Sequence, residues 1–195
     1  MTHQSFLLLK PINRKVRCQM TIFFTADLHL GHRNVLEFAN RPFDGIEQMN
    51  DTLIENINKR VKKPDTLYIL GDFAYRCPKS TAISFRDHIR CKNVHLVIGN
   101  HDRTYPDGVF QTITHSSELK VDGKKLTLIH YPMLKWNGSR YDWGYNLHGH
   151  IHSTGLYNTD NIKQGIRRYD VGVDANEYKP ISLEEIFAMF DQQQK

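Results

Sequence analysis

Three short apolar runs, each followed by polar residues, constrain the fold of this chain more than any other feature of its sequence. They cover residues 21–26, 67–70 and 94–98, and each predicts a buried strand because it is brief, apolar and rich in β-branched or aromatic side chains. Between the first two runs, apolar residues recur every three or four positions from Ile46 to Val61, which predicts an amphipathic helix that ends before Pro64. Strand, helix and strand in this order form a β-α-β unit.

Strand-like segments dominate the second half of the chain. A weaker helical pattern near residues 80–89 precedes them. The segments lie at residues 118–121 and 125–129, on either side of the turn sequence Asp122-Gly123, and around residues 145–147 and 167–173. The last predicted element is a helix that begins with a capping box formed by Ser182 and Glu185. An α/β first half followed by a β-rich second half predicts the α/β class, with two sheets packed together and flanked by helices.

The length of 195 residues predicts a single domain, which we expect over residues 20–195. Residues 1–19 show no periodicity and Met20 stands directly before the first strand, so we interpret them as a dispensable N-terminal extension. The content of 39% hydrophobic and 24% charged residues excludes a collagen-like or wholly disordered chain. We find neither a membrane-spanning run nor a secretory signal, and the cysteines form no C-x-x-C pair, which together predict a cytoplasmic protein.

Each predicted strand of the first half, and two of the second, leads into residues that can bind a metal ion. These are Asp27 and His29, then Asp72, then Asn100, His101 and Asp102, then His130, and finally His150 and His152. Ligands of open α/β sheets bind beyond the carboxyl ends of the strands, so we expect these groups to meet in one crevice. Carboxylates and imidazoles bind hard and borderline divalent ions, and these residues are too many for one tetrahedral zinc. The sequence therefore predicts two metal ions.

Local spacing suggests how the side chains reach the ions. In Asp27-x-His29 and in His150-x-His152, a spacing of two places both side chains on one face if the backbone is extended. Asp72 follows a glycine, which would let the backbone and an ion approach closely, so Asp72 is the expected bridge between the ions.

The motifs D-x-H, G-D, G-N-H-D, an isolated histidine and G-H-x-H, in this order from Asp27 to His152, resemble those of the calcineurin-like metallophosphoesterases. The resemblance implies a four-layer α/β/β/α sandwich, in agreement with the pattern above. It also implies the ligands of two divalent ions: Asp27, His29, Asp72 and His152 for one, and Asp72, Asn100, His130 and His150 for the other. We expect Mn²⁺, with Fe, Zn²⁺ and Ni²⁺ as alternatives.

The resemblance implies a phosphoester hydrolase in which a metal-bridging hydroxide attacks phosphorus. His101 resembles the general acid that protonates the leaving oxygen, and Asp102 is expected to orient it and favour its charged form. The expected substrate is a small phosphoester, with nucleotides among the options and phosphodiesters favoured over monoesters. The candidate substrate-binding residues are His32, Asn34 and Arg103; similar G-H-x-N segments occur in a small bacterial and phage branch of the family.

Several other interpretations stay open. A non-catalytic member of the fold that binds a protein partner is the main alternative, although every ligand position is filled here. A nuclease is not favoured, because a net charge of +5 supplies little basic surface for nucleic acid. Arg41 could fork onto a phosphate, and His148 is assigned no metal role. Four aromatic residues could stack on a base, although core positions are their commoner use: Trp136, Tyr141, Trp143 and Tyr145.

Overall fold

Two β-sheets lie at the centre of the structure, a computed structural model that describes residues 20–192. The first sheet contains β1 (Ile22–Thr25), β2 (Thr66–Leu70), β3 (Asn93–Val97), β4 (Thr112–Thr114) and β9 (Ile181–Ser182), in the order β4-β3-β2-β1-β9. Strands β1 to β4 pair in parallel, and β9 runs antiparallel to β1. The carboxyl ends of the four parallel strands therefore lie at one edge of this sheet.

The second sheet contains β5 (Ser116–Val121), β6 (Lys124–Ile129), β7 (Gly144–His148) and β8 (Arg168–Asp170), in the order β5-β6-β7-β8. The β5–β6 hairpin turns at Asp122 and Gly123, which have φ values of 50° and 75°, as its turn sequence predicts. β6, β7 and β8 pair in parallel, so their carboxyl ends also share one edge.

The helices are α1 (Val35–Phe38), α2 (Ile46–Arg60), α3 (Lys79–His88), α4 (Gly155–Lys163) and α5 (Leu183–Gln192). α2 and α3 cover the outer face of the first sheet, where Leu53 and Ile57 join a core with Phe23 of β1. The next residue, Phe24, points to the opposite face and packs with Leu128 and other residues of the second sheet. Because both faces of β1 are buried, its sequence is continuously apolar.

These elements confirm the predicted fold class: two sheets packed together with helices on either side. The capping box forms, since Ser182 N–H donates to Glu185 Oε2 at 2.8 Å and Glu185 N–H donates to Ser182 Oγ at 3.2 Å. Residues 1–19, interpreted above as an extension, lie outside the described residues. No helix within residues 20–192 is long and apolar enough to span a membrane.

Several elements carry no sequence pattern strong enough to predict them. α1 and β4 contain four and three residues, too few for a periodicity to emerge. α4 buries Asn158 and Asn161 instead of an apolar stripe, and the Asn158 side chain bonds the backbone N–H and C=O of Asp170. The strand predicted over residues 167–173 is limited to β8, after which the chain turns into a short 3₁₀ helix.

Candidate metal centre

The residues predicted to bind metal lie just beyond the carboxyl ends of β1, β2, β3, β6 and β7, where the two sheets meet. Two triads bring their ligand atoms within 4.8 Å of one another: Asp27, His29 and His152, and Asp27, Asp72 and His130. His150 contacts this group through the ring of His130, with 5.1 Å between the ring centroids. The crevice expected from the strand ends is therefore a single cluster of carboxylates and imidazoles.

Asp72 lies between two imidazoles. Its Oδ2 atom is 3.4 Å from His29 Nε2 and 3.5 Å from His130 Nε2. His29 Nε2 is buried and has no hydrogen-bond partner within the described part of the chain. A buried nitrogen with nothing to bond is costly unless another group, such as a cation, satisfies it.

Two of the histidines are held in the tautomer that leaves Nε2 free for a metal. His130 Nδ1 lies 2.8 Å from the Leu70 carbonyl oxygen, which only accepts, so Nδ1 carries the proton. His152 Nδ1 likewise donates to Asp174 Oδ2 at 2.7 Å. Hydrogen bonds of this kind orient histidine ligands in metal sites. His130 Nε2 lies 2.9 Å from Asn100 Oδ1. Because the His130 proton is on Nδ1, neither of these two atoms carries a hydrogen, and both direct a lone pair towards the same space.

The electrostatics of the cluster also fit divalent ions. Burial lowers the pKa of His29 to about 3, so this ring is neutral and able to coordinate. Although burial opposes it, the contacts of Asp72 with the His130 ring and with the His101 N–H lower the pKa of Asp72 to about 2. Burial raises the pKa of Asp27 to about 7, so this carboxyl needs a cationic neighbour to be fully ionised at neutral pH. The donor set therefore suits divalent cations.

Most of the expected ligands occupy the left-handed region of backbone conformation. Their φ values are 55° at Asp27, 50° at His29, 55° at Asp72, 74° at His150 and 44° at His152. The backbone of the D-x-H and H-x-H pairs is therefore not extended, and the condition under which a spacing of two would place both side chains on one face is not met. A left-handed residue reverses the chain beyond each strand and turns successive side chains into the crevice, at a cost of roughly 1–3 kcal/mol each.

Two glycines allow the loops to pack closely. A Cβ atom at Gly71, where φ is 93°, would collide with the ring of His130 and would lie 2.8 Å from Gly99 Cα. A Cβ atom at Gly99 would collide with Asp72. Gly71 therefore makes room for the Gly99 loop and the His130 ring. The sequence had instead suggested that it makes room for an ion.

The predicted acid, His101, lies at the margin of the cluster. Its ring centroid is 5.4 Å from that of His29, and its backbone N–H donates to Asp72 Oδ1 at 2.9 Å. Asp102 has different partners from those expected: it accepts the backbone N–H groups of Asp72, Phe73 and Gly99 at 2.8, 2.9 and 2.9 Å. Both oxygens face the backbone of two ligand loops, so Asp102 positions these loops rather than the His101 ring.

The candidate substrate-binding residues are spread over the centre and its surroundings. His32 Nδ1 lies 3.1 Å from His29 Nδ1, and its ring stacks on Tyr75 at 3.6 Å. Asn34 is exposed at the start of α1, with its side chain making no capping hydrogen bond. Arg103 is exposed and lines a separate pocket. Only His32 is in direct contact with an expected metal ligand.

Sequence reasoning missed a buried ion pair that supports the centre. The Arg41 guanidinium forks onto Asp174 with two contacts of 2.8 Å, and also donates to the backbone carbonyls of Asp27 at 2.6 Å and Leu28 at 3.1 Å. Because Asp174 accepts from His152, this pair connects two ligand loops. The Arg41 guanidinium thus binds a carboxylate instead of the phosphate considered from the sequence. No local sequence motif around Asp174 predicts this contact.

The aromatic residues beside the metal centre also differ from those suggested by the sequence. Tyr145 belongs to the core between the sheets, Trp136 is buried, and Tyr141 stacks on Trp143. Three other residues contact the clustered histidines instead: Phe38, Tyr75 and Tyr131. Tyr131 directly follows His130, and Tyr75 stands three residues after Asp72. Their closeness in sequence to the metal-binding motifs could therefore have identified these two tyrosines.

Several known proteins are similar to this chain. The family model described as calcineurin-like phosphoesterase matches residues 20–185. Uncharacterized protein MJ1445 of Methanocaldococcus jannaschii is 33% identical over 172 residues, covering 87% of this chain and 91% of that protein. The gene 66 protein of Mycobacterium phage L5 is 27% identical over 183 residues, covering 78% of this chain and 86% of the phage protein. The crystal structure of protein AQ665 from Aquifex aeolicus, of unknown function, has a TM-score of 0.68 and 27% identity and covers 88% of this chain and 100% of its own.

Proposed function

Because the chain belongs to the calcineurin-like phosphoesterase family, we propose that it hydrolyses phosphodiesters with two divalent metal ions bound beyond the ends of its strands. The position of Asp72 Oδ2 between the Nε2 atoms of His29 and His130 carries this proposal, because a carboxylate oxygen flanked by two imidazole nitrogens is suited to bridging two ions. The orphaned His29 Nε2 supports the same role.

The proposed ligands of the two ions are Asp27, His29, Asp72 and His152 for one, and Asp72, Asn100, His130 and His150 for the other. When bound, the ions would lower the pKa of a coordinated water to about 7 and offset the charge of the phosphate. The protein holds the ligand loops in place through Asp102, which binds three backbone N–H groups, and through the Arg41–Asp174 pair.

We assign His101 the role of general acid. Its backbone is tied to Asp72, while its ring extends to the margin of the cluster beside Tyr75, with 4.7 Å between the centroids. A ring in this place can give a proton to an oxygen that leaves a phosphate bound at the metal centre. His32, beside His29, is in reach of the same phosphate.

Two exposed aromatic rings favour a phosphodiester with aromatic or nucleoside substituents. Phe38 is 58% exposed and packs edge-on against His152 at 5.3 Å, on the side of the first ion. Tyr131 is 46% exposed and contacts His150 at 4.5 Å, on the side of the second ion. Exposed rings on both sides of the reacting phosphate can stack on the two groups that a diester carries.

The experiment compares hydrolysis of bis-p-nitrophenyl phosphate and p-nitrophenyl phosphate by the full-length protein loaded with Mn²⁺. We expect faster turnover of the diester and a loss of about 100-fold or more in Asp72→Asn and in His101→Ala. Asp87→Asn, which replaces an exposed carboxylate on α3, is the matched control for Asp72→Asn. Full activity in Asp72→Asn with metal bound would contradict the bridging role, and bound metal without turnover of either ester would favour a protein-binding role for the fold.

A further inference from the structure

A small basic pocket lies beside the metal centre, between the loop that follows Asp72 and the loop that follows His101. Its lining residues include three exposed cations, Arg76, Lys79 and Arg103. Among the described residues, no carboxylate lines this pocket. Three cationic side chains around one pocket create a positive potential that attracts anions.

The three cations of this pocket have no acidic partners. Within residues 20–192, none of Arg76, Lys79 and Arg103 forms an ion pair or a side-chain hydrogen bond. Asp102 is nearby in sequence, but its oxygens accept three backbone N–H groups. Lys79 is also the first residue of α3, so the positive end of a ten-residue helix adds to the local potential.

A single side chain, Tyr75, connects this pocket to the reacting end of the site. The Arg76 guanidinium lies 5.1 Å from the centre of the Tyr75 ring. The same ring contacts His101 at 4.7 Å and stacks on His32 at 3.6 Å. Arg103 stands two residues after His101 in the chain. The basic pocket therefore adjoins the side of the metal centre where His101 would protonate the leaving oxygen.

We propose that the pocket formed by Arg76, Lys79 and Arg103 binds a second phosphate of the substrate, carried by the leaving group. This inference rests on the proposed function, because the direction of the leaving group follows from the role of His101. It narrows the substrate class to phosphodiesters whose departing alcohol bears another phosphate, such as a phosphorylated nucleoside. Guanidinium and ammonium groups without competing carboxylates are suited to such a dianion.

The kinetic test uses three dithymidine phosphodiesters: one without a terminal phosphate, one with a 5′ phosphate and one with a 3′ phosphate. Mass spectrometry of the products identifies which thymidine is released as the alcohol. We expect kcat/KM to rise about tenfold when the terminal phosphate is on that fragment, the effect of about one charge-assisted hydrogen bond, and to change little when it is on the other. Equal rates for all three substrates would overturn the proposal.

Variants locate the effect in the pocket. Arg76→Gln and Lys79→Gln should each reduce the tenfold preference to about twofold or less. Arg90→Gln and Lys92→Gln are matched controls, because both cations are exposed and lie just before β3, at the opposite end of the sheet. A preference that persists in Arg76→Gln and Lys79→Gln, or that is lost equally in the controls, would overturn the assignment.

A binding measurement separates this proposal from the hydrolytic one. Calorimetric titration of the Mn²⁺-loaded protein with thymidine 3′,5′-bisphosphate and with thymidine 5′-monophosphate should give about tenfold tighter binding of the bisphosphate, lost in Arg76→Gln. If this holds but no ester is hydrolysed, the phosphate pocket stands and the proposed function fails. If inorganic phosphate alters the rate through Arg76 while the terminal phosphate has no effect, the pocket binds a free anion and the substrate assignment is wrong.

Discussion

His29 Nε2 and Asp72 Oδ2 lie 3.4 Å apart in the interior of the protein, and the nitrogen has no hydrogen-bond partner among residues 20–192. The two atoms come from loops after different strands, and the backbone joins these loops through a 2.9 Å hydrogen bond from His29 N–H to the Asp72 carbonyl. The backbone thus brings together a neutral imidazole and an ionised carboxylate without letting the side chains satisfy each other. Such an arrangement is costly in a purely structural role and useful around a cation.

Asp174→Asn should weaken metal binding without removing a ligand. Asp174 accepts the Nδ1 proton of His152 and both nitrogens of the Arg41 fork, so the amide would misorient the ring. We expect metal affinity to fall about 10- to 100-fold, measured by titration with Mn²⁺ or Zn²⁺. Asp191→Asn is the control, since among residues 20–192 Asp191 pairs only with Lys124, at the surface. Wild-type affinity in Asp174→Asn would contradict this positioning role.

Arg41→Met should destabilise the protein strongly. The Arg41 side chain is fully buried and its partner Asp174 is 7% exposed, so removing one partner leaves a buried charge and two unbonded carbonyls. We expect a loss of about 3–5 kcal/mol in the free energy of unfolding, measured with urea. The control is Lys59→Met, which breaks an exposed ion pair with Glu55. In this variant the free energy of unfolding should change by less than about 1 kcal/mol. Similar losses in both variants would show that burial of the Arg41 pair is unimportant.

Gly71→Ala should disrupt the metal centre by steric collision. The added methyl group would strike His130 and approach Gly99 Cα, and the left-handed φ of 93° adds strain. We expect a destabilisation of about 1–3 kcal/mol together with weaker metal binding. Gly123→Ala is the control, because its φ is also left-handed at 75° but no atom lies within 4 Å of the added Cβ. Comparable effects on metal binding in the two variants would refute the steric explanation.

Glu185→Gln should destabilise the protein at neutral pH and have little effect in acid. Although partial burial opposes it, the Arg60 side chain and the Ser182 N–H lower the pKa of Glu185 below its ordinary value of 4.5. A lowered pKa in the folded state stabilises the protein above pH 4.5, and this contribution is lost as the pH falls through the folded-state pKa.

The measurement is thermal unfolding of Glu185→Gln and wild type between pH 3 and pH 7. The difference in stability should be about 0.5–1 kcal/mol at pH 7 and should shrink as the carboxyl is protonated. Glu184→Gln changes the neighbouring residue, which makes no capping contact within the described part of the chain, and should show no such dependence. A difference that is constant with pH would rule out the charge of Glu185 as its source.

The predictable parts of the fold are those with a strong local pattern. β1, β2 and β3 lie where the apolar runs predict them, because a strand buried on both faces needs apolar side chains along its whole length. α2 follows from its periodicity, and the final helix follows from the Ser182–Glu185 capping box. α4 could not be predicted in this way, because its buried face consists of asparagines whose partners belong to β8.

The proposed ligand residues could be chosen from the sequence because their motifs are short and appear in a fixed order. The supporting contacts could not be chosen, because Arg41 and Asp174 are 133 residues apart and neither lies in a motif. Asp102 illustrates the same limit. Its position within G-N-H-D suggests a partner next to it in the chain, but its actual partners include Asp72 and Phe73, which folding brings within hydrogen-bonding distance.

The alternating strand and helix elements, the α/β class and the metal-type side chains after the strands all follow from local sequence patterns. These properties depend on local hydrophobicity and on side-chain chemistry, which are readable residue by residue. Three other features follow from tertiary packing: the left-handed turns that direct Asp27 and Asp72 inward, the ion pair behind His152, and the cations near His101 that are unpaired within residues 20–192. Each of these depends on distances between loops that are far apart in the chain, and such distances are set by the packing of the two sheets.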